Sequence, residues 1–187
     1  TLGTPEVPFA TAFAEGLLLD CGAGETAIEL YDTAATSHST WSLENTAISF
    51  GNLAEVTGTF ADITVYLGQV DAVVFSAITE TIDVTVFGGP GSDWFYARAL
   101  PLGHVLFRGG GGTDRVVIDD SARTAARYLA LDGPPLTVPG ALVTDARIGP
   151  PGYSNGIVYD AEELEIKGGR GEDVYDVTAT ASATETV

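Results

Sequence analysis

A six-residue pattern, Gly-Gly-x-Gly-x-Asp, occurs three times in this chain and constrains its fold more than any other feature. The copies begin at Gly88, Gly109 and Gly168, and alternating apolar residues such as Trp94–Ala97 follow each of them. Glycine permits the tight backbone of a turn, and alternating apolar residues are typical of a half-buried strand. No stretch shows a convincing helical period over three turns, so the pattern predicts an all-β protein.

The chain also repeats itself over a longer distance. Residues 22–50 align without a gap with 110–138, and residues 84–99 align with 164–179, with both glycines and apolar positions matched. An alignment of glycines by chance would not match the apolar positions as well, which favours duplication. We therefore predict one domain, 1–187, made of two copies of a long unit, about 21–108 and 109–187. Residues 1–20 form an N-terminal lead-in or first coil.

A finer period lies within the long one, because turn residues recur about every 21 residues with β-rich stretches between them. Repeated coils that each contain a glycine turn predict a parallel β-helix, or β-solenoid, of about eight coils of roughly 21 residues. The alternative is an antiparallel β-sandwich, which explains the turns but not the nested repeats. The predicted inward-facing residues are Ile28, Leu30, Val84, Val86, Phe95, Val116, Ile118, Ile166 and Tyr175.

The motif Gly-Gly-x-Gly-x-Asp-x-apolar-x resembles the nonapeptide of hemolysin-type (RTX) calcium-binding repeats. The order of motifs over about residues 20–187 is similar to that of large repetitive secreted or surface proteins of bacteria. This resemblance implies a β-solenoid segment of a larger extracellular or cell-surface protein, with calcium held between the turns of neighbouring coils. The chain departs from RTX domains in one respect, since each motif stands alone on its coil and not in tandem.

Calcium takes six to eight oxygen ligands, so the candidate site lies where two intact turns are adjacent. The turns at 88–93 and 109–114 meet this condition and would place Asp93 over Asp114. The turn at 21–26 carries Thr26 in place of aspartate, and the turn at 168–173 is expected to follow the Gly149–Ser154 region, which lacks a carboxylate. In the alternative, each aspartate caps its own turn by accepting backbone N–H groups. The candidate Ca²⁺ ligands are Asp93, Asp114 and Asp173 with Gly88, Gly89, Gly91, Gly109, Gly110 and Gly112.

Charge and side-chain patterns argue against several other functions. The chain has 26 acidic and 8 basic residues, a net charge of −18, which disfavours nucleic acid and anionic surfaces. Its apolar runs are too short to insert into a membrane. Asp119 and Asp120 are a carboxylate pair of the kind that glycoside hydrolysis uses, but neighbouring residues on a strand point to opposite faces. His38 and His104 stand apart, without a cluster of metal ligands.

We therefore predict a non-enzymatic structural or adhesive solenoid segment whose partners are neighbouring repeats of the same protein and a cell-surface polymer. Calcium is its candidate cofactor. The first alternative is a polysaccharide-acting β-helix enzyme. The second is an ice- or glycan-binding solenoid, which the irregular placement of Thr-x-Thr pairs, as at Thr57–Thr59, disfavours.

Overall fold

The computed structural model describes residues 17–51, 54–133, 145–151, 155–178 and 185–186, and these residues form fifteen β-strands joined in one large mixed sheet. No helix occurs in these ranges, which confirms the all-β prediction. The strands are β1 Leu17–Tyr31, β2 Ser39–Leu43, β3 Ala47–Phe50, β4 Ala54–Tyr66, β5 Ala72–Ser76, β6 Asp83–Phe87, β7 Trp94–Ala97, β8 His104–Arg108, β9 Arg115–Asp119, β10 Tyr128–Asp132, β11 Ala146–Gly149, β12 Gly156–Asp160, β13 Glu163–Lys167, β14 Val174–Val177 and β15 Glu185–Thr186.

Two runs of parallel strands occupy the middle of the sheet order. Strands β4, β6 and β8 pair in sequence, so that Val84 has Ile63 on one side and Val105 on the other. Strands β5, β7 and β9 pair in the same way, with Phe95 between Val74 and Val116. Strands that follow one another in the chain therefore belong to different runs, and β6 pairs with β4 and β8 but not with β5 or β7.

Antiparallel strands separate these two runs from each other and adjoin one of them at its far end. Strand β3 pairs antiparallel with both β2 and β4, and β11 pairs antiparallel with both β10 and β12. These strands lengthen the connections, so parallel partners on either side lie farther apart in sequence, as with Ile28 and Ile63 or Arg115 and Glu163. The regular offset of 21 residues is thus confined to the middle. The predicted turn at 21–26 lies instead within β1, where the pairing with β4 is irregular.

Buried and less buried residues alternate along β2, β3, β5, β6 and β7, as the sequence predicts, whereas β8 to β12 each bury three or four consecutive residues. Seven of the nine predicted inward-facing residues are buried, and Ile166 is half-buried against the same core: the seven are Ile28, Leu30, Val84, Val86, Phe95, Val116 and Ile118. Tyr175 is 40% exposed, so the prediction that it is buried in the core was wrong. The reason is positional, because β14 is the last strand at one end of the sheet order. Residues 1–16 of the predicted lead-in lie outside the described residues.

Trp41, Phe107 and Tyr159 add large buried side chains that the repeat pattern did not single out. In the described part of the chain, no helix is long and apolar enough to cross a membrane.

Candidate functional site

The two intact glycine turns of the middle region stack directly on each other. The turn at 88–93 joins β6 to β7, and the turn at 109–114 joins β8 to β9. Backbone hydrogen bonds continue from the strands into the turns, since Gly88 N donates to Arg108 O at 2.6 Å and Gly111 N donates to Gly89 O at 2.9 Å. The turn backbones therefore extend the ladder of the two parallel runs at one edge of the fold.

The glycines serve two different purposes in these turns. Gly110 and Gly112 have φ of +100° and +107°, a backbone conformation that side chains disfavour. Gly89 has no positive φ, but a Cβ on it would lie 1.6 Å from Gly68 O in the turn before. Gly111 has neither a positive φ nor a close neighbour, because a Cβ on it would meet nothing closer than Pro90 Cα at 3.4 Å. Tight stacking, and not turn conformation alone, therefore selects glycine at position 89.

Asp93 is fully buried between two turns. Its Oδ1 accepts the backbone N–H of Ala72 at 2.9 Å, and its Oδ2 accepts the N–H of Gly89 at 2.8 Å. Burial raises the pKa of this carboxyl to about 6, although the two hydrogen bonds oppose that rise. Both oxygens thus cap backbone groups, one in the preceding segment and one in the residue's own turn.

Asp114 repeats this arrangement one turn further on. Its side chain is 1% exposed, and its Oδ1 accepts the backbone N–H of Asp93 at 2.8 Å. The N–H of Asp114 in turn donates to Glu162 Oε2 at 2.8 Å. Burial raises the pKa of Asp114 to about 7, with further upward contributions from the charges of Asp93 and Glu162. Asp93, Asp114 and Glu162 together form a carboxylate ladder, in which each accepts a backbone N–H from the segment stacked before it.

Glu162 is a member of this ladder that the sequence pattern missed. It lies between β12 and β13 in a short connection without glycines, so no Gly-Gly-x-Gly-x-Asp signal marks it. Its acidic side chain directly before a strand was the one available clue.

Asp173 belongs to a different stack. Its Oδ2 accepts the N–H of Gly169 at 2.9 Å, and its Oδ1 accepts the N–H of Arg127 at 2.9 Å. The turn at 168–173 lies against the segment before β10, where Arg170 N donates to Arg123 O. The expectation that this turn follows the Gly149–Ser154 region was wrong, because Gly149 ends the antiparallel strand β11 and pairs with Ala130.

The donor set at Asp93 and Asp114 offers carboxylate oxygens on adjacent turns, as an oxygen-seeking cation requires. The capping bonds already occupy one lone pair on each oxygen of Asp93, and Gly89 O accepts the N–H of Gly111. Across the described ranges, no group of three or more His, Cys, Asp or Glu side chains is arranged to hold a metal ion. Asp93 therefore caps its own turn and the segment before it, Asp114 caps the N–H of Asp93, and the remaining lone pairs and carbonyls are what a cation could use.

The candidate catalytic carboxylates have separate partners. Asp119 accepts hydrogen bonds from Ser121 and from the Tyr96 hydroxyl, and these lower its pKa to about 2. Asp120 lies 3.2 Å from Arg127 Nη1 instead. A general acid for glycoside hydrolysis needs a raised pKa, which Asp119 does not have.

The two histidines have different surroundings. His104 Nδ1 lies 3.2 Å from Asp83 Oδ1 on one parallel run, whereas His38 lines a surface groove beside β5 and β7.

No protein-family model matches this chain, and neither the curated proteins nor the solved structures include a match to it.

Proposed function

We propose that this chain is a non-enzymatic segment of a parallel β-solenoid, with a structural or adhesive role in a larger extracellular or cell-surface protein. The observation that carries the proposal is the register of the two parallel runs, in which Asp93 and Asp114 stand 21 residues apart in adjacent turns. A solenoid stacks each strand on its equivalent one coil later. A sandwich built of hairpins would instead pair strands that are neighbours in the chain, and β4 to β9 do not pair in that way.

The carboxylate ladder supports a structural role for the turns. Backbone N–H groups buried at a stacking edge must find acceptors, because an unpaired buried donor costs about 1–3 kcal/mol. Asp93 and Asp114 supply these acceptors between successive turns. On this proposal, the aspartate of the Gly-Gly-x-Gly-x-Asp pattern is primarily a device that joins one coil to the next.

Neighbouring repeats are the proposed partners, and the exposed side chains of β14 support this. Tyr175 and Val177 pair with the buried Leu129 and Leu131, so they continue the same core-facing positions. Even so, Tyr175 is 40% and Val177 is 55% exposed. Among the described residues no carboxylate accepts the N–H of Asp173, although the equivalent N–H groups of Asp93 and Asp114 have such acceptors. A further coil of the same kind would supply both the apolar cover and the carboxylate.

The adhesive and enzymatic alternatives are separated by one assay. The purified chain is passed over immobilised neutral and acidic polysaccharides, and both retention and release of reducing ends are measured. We expect retention on a neutral polysaccharide without release of reducing ends. Release that disappears in Asp119→Asn would overturn the non-enzymatic proposal in favour of a polysaccharide-acting enzyme.

Calcium binding is a second candidate function, favoured by one observation. Asp93 and Asp114 are adjacent buried carboxylates, and neither forms an ion pair with any described basic side chain. A divalent cation between the turns would relieve their mutual repulsion, with weak affinity of about 10⁻⁴–10⁻³ M as in extracellular modules. Calcium should then raise the melting temperature and EDTA should lower it.

The matched variant for this test is Asp93→Ala combined with Asp114→Ala, which should abolish the calcium response. Glu80→Ala, at an exposed position between β5 and β6, is the control and should leave the response intact. Calorimetry without calcium uptake at millimolar concentration, together with an unchanged melting curve, would leave the aspartates as turn caps alone.

A further inference from the structure

A surface groove of about 360 Å³ lies beside the stacked turns, on the outer side of the β5–β7 pair. Its volume is at the low end of the roughly 300–1,000 Å³ found for small-molecule sites. The groove is open to solvent and combines an aromatic ring with polar side chains. Its lining residues are His38, Asp71, Ala72, Val73, Ser92 and Trp94.

Trp94 provides an aromatic platform for this groove. It is the first residue of β7, it is 43% exposed, and its neighbour Phe95 is fully buried, so the indole lies on the outer side of the sheet. Arg115, its partner on β9, has its guanidinium 5.1 Å from the indole centroid. Val73, its partner on β5, lines the groove. The indole therefore contacts a cation and also lines the groove.

The polar groups around the indole are held in place by backbone contacts. Asp71 Oδ1 accepts the N–H of Ser92 at 2.8 Å, and Ser92 Oγ accepts the N–H of Thr113 at 3.1 Å. The second oxygen of Asp71 remains an acceptor, and the Ser92 hydroxyl retains its proton as a donor. The imidazole of His38 adds a group that can donate or accept. Acceptors and donors thus line the same groove as the indole.

We propose that this groove binds a pyranose ring of a neutral glycan, stacked on Trp94 and hydrogen-bonded to Asp71, His38 and Ser92. The C–H-rich face of a sugar ring matches an exposed indole, and its hydroxyl groups need fixed acceptors and donors at the rim. Acidic sugars are disfavoured, because Asp71 lines the groove and the chain carries a net charge of −18. This inference names the ligand class for the adhesive role proposed above and rests on that role.

Saturation-transfer NMR with methyl glycosides of glucose, galactose and mannose tests the proposal, with glucuronic acid as the acidic comparison. Transfer to at least one neutral glycoside and none to glucuronic acid is expected, with a dissociation constant on the order of 1 mM for so shallow a site. Tryptophan fluorescence gives a second readout. The chain has two tryptophans and Trp41 is fully buried, so a ligand-dependent change in emission reports on Trp94.

Trp94→Ala should weaken binding at least tenfold, and Asp71→Ala should weaken it comparably. Leu102→Ala, at a residue that is 60% exposed and lies outside the groove, should have no effect. Emission from Trp41 and circular dichroism verify that each variant is folded. If Trp94→Ala leaves the binding of neutral glycans unchanged, the groove is not the binding site, although the adhesive role stands. No binding of any neutral glycoside at 20-fold the expected dissociation constant would overturn the groove and the ligand class together.

Discussion

Replacing Gly89 with alanine tests the stacking of the glycine turns directly. The new Cβ would lie 1.6 Å from Gly68 O, where ordinary contact begins at 3.4 Å, so the turns must separate by about 1.8 Å (3.4 − 1.6 Å). That separation would disrupt the bonds that join these two turns, from Leu67 N to Phe87 O and from Ala72 N to Asp93 Oδ1. Overpacking costs about 1–3 kcal/mol, and the bond to a charged acceptor adds about 1.5–3 kcal/mol. We expect a loss of roughly 3 kcal/mol or more in the free energy of unfolding.

Gly111→Ala is the matched control within the neighbouring turn. Its Cβ would meet only Pro90 Cα at 3.4 Å, and Gly111 has no positive φ. This variant should be neutral or stabilising by up to about 1 kcal/mol, because alanine restricts the unfolded chain. Urea denaturation followed by the emission of buried Trp41 compares the two. Equal denaturation midpoints for both variants would refute the stacked-turn geometry.

Three further predictions concern the core, the ladder and a buried ion pair. Val116→Asp should unfold the chain, because it buries an unpaired carboxylate at a cost of several kcal/mol, and thermal melting measures this. The native pKa of about 6 for Asp93 and about 7 for Asp114 exceeds the ordinary 3.8. The folded state therefore binds more protons, and the stability that these two carboxyls contribute should be fully present below pH 3.8 and be lost as the pH rises through about 6 and 7. Arg147→Lys should cost about 1–3 kcal/mol, because Arg147 is buried and its guanidinium makes two 3.0 Å bonds to Asp132 that an ammonium cannot reproduce.

Each of these predictions has a control in the same chain. Val174→Asp, at a position 56% exposed, should melt like the parent, and parent-like melting of Val116→Asp would contradict the strand assignment. Asp114→Asn keeps an oxygen for the N–H of Asp93 and removes one titrating carboxyl, so it should flatten the pH profile between pH 4 and 8 by on the order of 1 kcal/mol or more. An unchanged dependence of stability on pH would show that Asp114 does not titrate as a member of the carboxylate ladder. Arg98→Lys changes an exposed residue and should lower the free energy of unfolding only slightly. If Arg147→Lys lowers it no more than Arg98→Lys does, the buried Arg147–Asp132 pair does not stabilise the fold.

The local features of this fold were predictable because they depend on neighbouring residues. Alternating apolar residues located strands such as β6 and β7, and the glycine turns located the edge where Asp93 and Asp114 meet. The alternation also gave the correct inward faces for Val84 and Val116. These assignments follow from the two-residue period of a strand and hold whatever the strand later pairs with.

The pairing of the antiparallel strands was not predictable in the same way. Strand β11 has an all-buried pattern without alternation, and its antiparallel pairing is accompanied by the Arg147–Asp132 ion pair. Neither the repeat alignment nor the turn spacing contains that information, because it arises from contacts distant in the chain. The same is true of Glu162, whose carboxylate replaces an aspartate of the turn pattern only once β13 stacks on β9. The two long units within 1–187 stay a prediction.

We infer that β4, β6 and β8 stack in parallel register as successive coils, and that β5, β7 and β9 do the same. Nuclear Overhauser spectroscopy on isotope-labelled protein tests this stacking, because parallel neighbours give contacts between Hα and amide protons across strands, whereas antiparallel neighbours give close Hα–Hα contacts. We expect Hα–amide contacts linking Ile63 with Val84 and Val84 with Val105, and the same pattern around Phe95. Strong Hα–Hα contacts between β5 and β6 or between β6 and β7 would contradict it and identify an antiparallel sandwich.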